Sequence, residues 1–458
     1  MSSGLPPGKI AERSGGAQAG AGRPARVHVV LDAVIYPERT VVTGAGLAGL
    51  RTVVSLREKG YTGRVTLLGA ELRPPYDRPP LSKKVLTSGA DPSLEADFGA
   101  LEADFRPGTE AVSLDAPGRA VVTASGPVPY DALVIATGAT PVRLPGPGKQ
   151  RVLRTYDDAL ALRELLRPGQ FRSARRLAIV GAGWIGAELA TAAATLGASV
   201  TVVEAGPTPL AAVFGPGLGS VFASWYAAAG VTLRTGTAVS SIEDGGLALG
   251  DGEWLPADEI VTAVGVRPAV GWLAGSGLAL ENGVAVDSGL RASLTGIFAV
   301  GDCASFPSGL FGARMRVEHW DSALHAPEVA AANVLGGDEV YDPVPYFWSD
   351  QFGRMVQYVG HHSTGQHGPA DRLVWRGDPA EPKWTACWLA PAADADGAGA
   401  AGGVSGAGAA GGAGRLIALL TVGRPKDMIQ ARKLIAARAV LDPARVADPA
   451  VQLKNTVA

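Results

Sequence analysis

The feature that most limits what this chain can fold into is a glycine pattern that occurs twice, each time between a short apolar strand and a helix. In "TVVTGAGLAGL", Gly44, Gly46 and Gly49 follow Val41 and Val42; in "LAIVGAGWIGAEL", Gly181, Gly183 and Gly186 follow Leu177 to Val180. Each copy opens a helical segment and leads to a second strand, "RVTLLG" after the first and "SVTVVE" after the second. Strand, tight turn and helix in that order form the start of a βαβ unit that binds a dinucleotide. The first glycine permits the turn, the second lets backbone approach a pyrophosphate, and the third allows the helix to pack on the strand. Free N–H groups at the helix N-terminus then meet the phosphates. A single copy is weak, because a glycine-rich turn needs no ligand. Two copies in matching contexts imply two nucleotides.

Between and beyond these copies, apolar strands alternate with Ala-rich helical segments, the pattern of a parallel α/β sheet. At roughly 100 to 200 residues per domain, a chain of 458 residues holds about three. The expected organisation is α/β: two Rossmann-like dinucleotide-binding domains and a C-terminal α+β domain. Residues 1–36 form an extension, and its first part lacks the apolar periodicity needed to offset ordering entropy. Residues 37–155 and 275–340 make the two parts of the first nucleotide domain, and 156–274 make the second. Residues 341–458 make the C-terminal domain, with strands at 371–376, 383–389 and 415–422 and a flexible Gly/Ala-rich loop at 391–414.

Net charge is −2 and charged residues make up 18%, against roughly 25% in average proteins, so nothing global attracts nucleic acid or a membrane surface. Cys303 and Cys387 stand far apart and form no paired motif, which argues against a disulfide framework or a dithiol redox centre. No metal site is expected. Without an apolar run long enough to span a bilayer, or a signal peptide, the chain reads as a soluble cytoplasmic protein.

Several residues outside the glycine turns carry chemistry. Glu204 ends the second strand of the second copy, at about the 20-residue separation where an acid hydrogen-bonds the adenosine ribose 2′-hydroxyl. Its charge repels a 2′-phosphate, and "AGPTP" after it offers no cation, so NADH is expected over NADPH. In the first copy the equivalent position is Gly69, and the nearest acid, Glu71, is the candidate for that role. "LVIATGATP", with Thr137 and Gly138, and "IVTAVGVRP", with Gly265, read as chain returns between domains. "TGIFAVGDCAS" ends a strand at Asp302, which either accepts a hydrogen bond from a flavin ribityl hydroxyl or caps a helix. In "YDRPPLSKKVL", Pro79 and Pro80 make a stiff, irregular segment that holds Arg78, Ser82 and Lys83 in place.

From about residue 40 to 440 the chain resembles the oxygenase-coupled NADH-dependent ferredoxin reductases, the putidaredoxin reductase type of two-domain flavoprotein. The paired glycine turns are shared across the superfamily; "PYDRPPLSK", "LRTYDDA", "VGVRP", "RVEHWDSALH", "VPYFWSDQFG" and "GRPKDMIQARKLI" are more specific. The resemblance implies FAD on the first unit and NADH on the second. Electrons would pass to a two-iron two-sulfur ferredoxin that feeds a monooxygenase or a Rieske dioxygenase. It also implies Arg78 at the flavin, Lys83 near isoalloxazine N5 as a cation stabilising reduced flavin, Asp302 on the ribityl chain, Trp320 beside the ring and Glu188 near the nicotinamide. Relatives carry an arginine directly after the proline of "ATGAxP". Here Val142 stands there, which leaves Arg143, one residue later, as the candidate for that contact. Arg314, Arg316, Arg354 and Lys426 are candidates for steering an acidic ferredoxin. The same scaffold serves NADH oxidases, rubredoxin-type reductases and signalling flavoproteins resembling apoptosis-inducing factor, and the oligomer is open between monomer and dimer.

Overall fold

The computed structural model describes residues 36–167, 175–362, 371–392 and 412–458; the expectations for the N-terminal extension and for the interior of the Gly/Ala-rich run lie outside them. Its first layer is a five-stranded parallel sheet in the order Ile297–Ala299, Ala132–Ile135, Arg39–Thr43, Arg64–Leu68, Ala103–Arg106. Val41, Val42, Leu133, Val134 and Ile135 are buried, as strands covered on both faces require. The helix Leu47–Glu58 connects Arg39–Thr43 to Arg64–Leu68 and packs against the helix Trp320–Val334.

A second, four-stranded parallel sheet repeats the plan: Thr232–Arg234, Ser199–Val203, Arg176–Val180, Glu259–Thr262. In each sheet the strand that feeds a glycine turn lies between its βαβ partner and a strand from much later in the chain. The strand order therefore reverses at that point, where α/β sheets open a crevice at the carboxyl ends. Local geometry matches as well. Gly44 and Gly181 each sit at φ +102, and each donates its N–H at 2.8 Å to the strand alongside, to Leu68 and Val203 respectively. The two chain returns pair with each other, Ala139–Pro141 antiparallel to Val266–Pro268.

The C-terminal part is an antiparallel sheet in the order Tyr346–Gln351, Arg354–Gly360, Gly414–Val422, Trp384–Pro391, Arg372–Arg376, with Val440–Leu441 added beside Gly414–Val422. Trp384–Pro391 and Gly414–Val422 are register partners up to Pro391 opposite Gly414, so the Gly/Ala-rich run joins the ends of one hairpin. The helix Pro425–Ala436 covers this sheet. Arg376, 1% exposed, donates to Asp427 at 3.0 Å and to the carbonyls of Val446, Asp448 and Val451, tying the C-terminal tail to the sheet.

Candidate functional site

A cavity of about 300 Å³ opens where the two glycine turns approach each other. It is lined by Gly46, Leu47 and Ala48 of the first turn and by Trp184, Ile185 and Glu188 at the start of the second turn's helix. The proline-stiffened segment contributes Arg78, Ser82 and Lys83. That segment is more regular than the sequence suggests: Pro79–Ser82 is a 3₁₀ turn and Lys84–Ser88 a short helix. Its prolines occupy the first helical positions, where no backbone donor is needed. Leu81, Val85 and Leu86 are buried beneath, which fixes the face that turns Arg78 and Lys83 to the cavity.

Arg78 lies over the first turn, with Nη1 2.8 Å from where a Cβ on Gly46 would stand. Nη2 lies 3.4 Å from Glu71, and the guanidinium stands over the Tyr76 ring at 5.5 Å. Burial and then the neighbouring Arg154 lower its pKa from the ordinary guanidinium value; it remains charged at neutral pH. Its Nε is buried without a partner. Tyr76 donates to Glu71 at 2.7 Å, and burial pushes its phenol up to about 12. Glu71 is thus engaged from both sides.

At the cavity wall Arg154 donates to Asp302 at 2.9 Å. Trp320 donates through Nε1 to Asp77 at 2.8 Å, linking the start of its helix to the proline segment. Lys83 pairs with Glu188 at 2.7 Å, the carboxylate 4% exposed. The His319 ring lies tilted beside Phe347 with centroids 4.5 Å apart, its Nδ1 has no partner, and burial lowers its pKa to about 4.

Of the residues singled out from sequence, Gly46, Arg78, Lys83, Gly138, Glu188, Asp302 and Trp320 line this cavity. Gly44 and Gly49 underlie the first turn, and Gly181, Gly183 and Gly186 the second. A Cβ on Gly49 would stand 1.9 Å from the Gly44 carbonyl, and one on Gly186 2.0 Å from that of Gly181, whereas Gly183 faces open space. Glu204 accepts from the backbone N–H groups of Ala182 and Gly206, both at 2.7 Å, and so abuts the second turn. Thr137 donates to the Ala269 carbonyl at 2.8 Å and Gly265 accepts from Val142 N at 2.9 Å, holding the chain returns together.

Arg143 departs from expectation. It is exposed, its guanidinium donates to the Gln150 carbonyl at 3.1 Å, and it does not line the cavity. Of the four cations considered for steering a ferredoxin, Arg314 pairs with Glu281 and Arg316 with Glu318, Arg354 lies over the Trp225 ring, and Lys426 stands exposed in the helix Pro425–Ala436. Residues the sequence reading left unassigned also line the cavity, namely Arg154, Trp184, His319, Phe347 and Trp348. All five lie inside motifs that mark the segment without marking the side chain.

Cys303 and Cys387 are both buried and free, and neither lines the cavity. Among the described residues no group of His, Cys, Asp and Glu could hold a metal ion, and no helix is long and apolar enough to cross a membrane.

Comparison with known proteins returns a consistent set. Residues 38–326 match the pyridine nucleotide-disulphide oxidoreductase model, and 346–395 with 409–457 match the reductase C-terminal model. The ferredoxin–NAD(+) reductase component of the anthranilate 1,2-dioxygenase system of Burkholderia cepacia is 34% identical over 91% of this chain and 98% of its own. The crystal structure of Fdr9 superposes with a TM-score of 0.81 at 47% identity, covering 91% of this chain and 99% of that one. The reductase in the covalent putidaredoxin reductase–putidaredoxin complex does so with 0.80 at 29% identity, covering 92% and 98%.

Proposed function

The chain belongs to the pyridine nucleotide-disulphide oxidoreductase family, and on that footing we propose that it delivers electrons from NADH to a two-iron two-sulfur ferredoxin serving a monooxygenase or a Rieske dioxygenase. It is an FAD-dependent oxidoreductase of the ferredoxin–NAD(+) reductase type, and NADH is its reductant. The observation that carries the finer reading is the single cavity bounded by both glycine turns, so that a group held on one turn and a group held on the other share one space.

The residues present suit FAD at the first turn. Gly46 keeps the turn free of side chain, Arg78 offers a buried, unpartnered Nε–H, and Arg78, Arg154 and Lys83 supply cations toward a pyrophosphate-bearing ligand. Asp302, steadied by Arg154, suits a ribityl hydroxyl, and Trp320, steadied by Asp77, suits a ring face. Bound FAD supplies an acceptor that takes two electrons at once and releases them singly. The protein's part is to hold charge where reduction develops it: Lys83, backed by Glu188, is placed for that in a cavity walled by Trp184, Trp320, Phe347 and Trp348. Glu204 suits the ribose 2′-hydroxyl of NADH, and its charge disfavours a 2′-phosphate.

The family takes its name from disulfide chemistry, but with both cysteines buried away from the cavity no dithiol stands between it and the acceptor, so delivery is direct. The test is NADH-driven cytochrome c reduction by the purified yellow protein with and without added two-iron ferredoxin. Strong stimulation by ferredoxin is expected; oxygen consumption at the same rate without it would identify an oxidase instead. In the same assay Glu204→Ala should raise the NADH dissociation constant at least about tenfold, the worth of one strong hydrogen bond to a charged group, with FAD occupancy unchanged.

A further inference from the structure

Glu188 receives four donors on its two oxygens. Oε2 accepts from the Ser82 hydroxyl and, at 2.7 Å, from the Lys83 ammonium. Oε1 accepts from the Ser349 hydroxyl at 2.6 Å and the Asp350 backbone N–H at 3.3 Å. A carboxylate offers about four lone-pair sites, so this one has none to spare for an incoming nicotinamide. Its donors come from separate parts of the chain: the proline segment supplies Ser82 and Lys83, and the first strand of the C-terminal sheet supplies Ser349 and Asp350. Glu188 itself stands on the helix of the second glycine turn.

The cluster is dry. Ser349 is 0% exposed, Gln351 1%, Ser82 2% and Glu188 4%. An ionised carboxylate buried to this degree is tolerated only when its oxygens are paired and hydrogen-bonded. Gln351 donates through Nε2 to the Ser349 oxygen at 3.1 Å, which occupies a lone pair of that oxygen and leaves its O–H to point at Glu188.

We infer that Ser349 is a positioning residue for electron transfer: by fixing Glu188 it fixes Lys83, so the C-terminal sheet sets the charge that the cavity presents to the flavin. The inference rests on the reading above that FAD is bound beside Lys83. Without the serine hydroxyl, the negative charge of Glu188 is less neutralised, and adding electrons beside it becomes harder.

The experiment is dye-equilibration potentiometry on the FAD-loaded enzyme. Ser349→Ala should make the flavin harder to reduce by about tenfold in its equilibrium with the reference dye, or about 30 mV for a two-electron couple. Its NADH dissociation constant should stay within about twofold of the parent, since Ser349 is fully buried and does not itself line the cavity. Ser349→Thr, which keeps the hydroxyl, should restore the potential. An unchanged potential in Ser349→Ala, a threonine variant shifted as far as the alanine one, or weakened NADH binding at unchanged potential would each overturn the inference. Where Ser349→Ala fails to retain FAD, Gln351→Leu takes its place: it frees the serine hydroxyl to turn away, and a parental potential there refutes the role. Failure of the parent enzyme to bind FAD or to be reduced by NADH would instead sink the broader reading.

Discussion

Arg154 donates to Asp302 across 2.9 Å, and the two residues are brought together only by the fold. Asp302 is legible in the sequence because it follows an apolar strand, although that strand ends at Ala299 and Asp302 sits in the 3₁₀ turn Gly301–Cys303 rather than at the strand end; Arg154 is not, because the partner of an arginine is set by tertiary structure and not by spacing. Removing the guanidinium leaves Asp302 without its anchor, so Arg154→Met should raise the fraction of protein that loses FAD on gel filtration several-fold, read from visible absorbance. Occupancy equal to the parent would exclude this pairing from the cofactor site. Histidines give a second test at this scale. Burial lowers His319 and His362 to about 4 each, whereas an unfolded histidine titrates near 6.5. Between those values the unfolded chain binds more protons than the native one, so stability is complete above about pH 6.5 and falls as pH drops toward 4. The loss is at most about 1.4 kcal/mol per histidine for each pH unit. Urea midpoints should therefore fall from pH 7 to pH 5, and the fall should shrink in His319→Asn and His362→Asn; an undiminished pH dependence would show that other groups cause it.

At the scale of elements, the three glycines of a turn differ in what limits them. Gly49→Ala places a methyl 1.9 Å from a backbone carbonyl and lifts the helix off its strand, so FAD retention and folding of the first unit should both suffer. Gly186→Ala does the same to the second unit, and the product should stay yellow while losing NADH affinity. Gly183 meets nothing within 4 Å, so Gly183→Ala should keep the parental melting temperature and weaken only NADH. A Gly183→Ala protein with parental NADH affinity would show that no ligand approaches that backbone. The glycine turns and the parallel strands were legible because burial on both faces demands continuous apolar runs. The hairpin that brings Phe347 and Trp348 to the cavity and Ser349 to Glu188 was not. Its turn places Phe352 and Gly353 both at positive φ, 49 and 74, a geometry ordinarily marked by Asn-Gly or Asp-Gly, and phenylalanine gives no such signal.

Across the whole molecule, the C-terminal sheet supports the cavity, and one buried carboxylate held by two arginines supports the sheet. Asp427 receives Arg376 at 3.0 Å and Arg424 at 2.7 Å, and Asp427→Ala leaves the guanidinium of Arg376 buried without its carboxylate. Such a loss costs about 3 to 5 kcal/mol. The denaturation midpoint and the midpoint of flavin release should drop together in this variant; a parental midpoint for flavin release would mean that the sheet does not support the site. The hairpin of Trp384–Pro391 and Gly414–Val422 bears on engineering. Since Pro391 and Gly414 already sit opposite each other, the span joining them can grow at only about 0.6 kcal/mol per doubling, provided the added residues are flexible. That junction is a natural splice point for an iron–sulfur carrier domain, which would then meet its reductase at the concentration fixed by a tether and not by expression level.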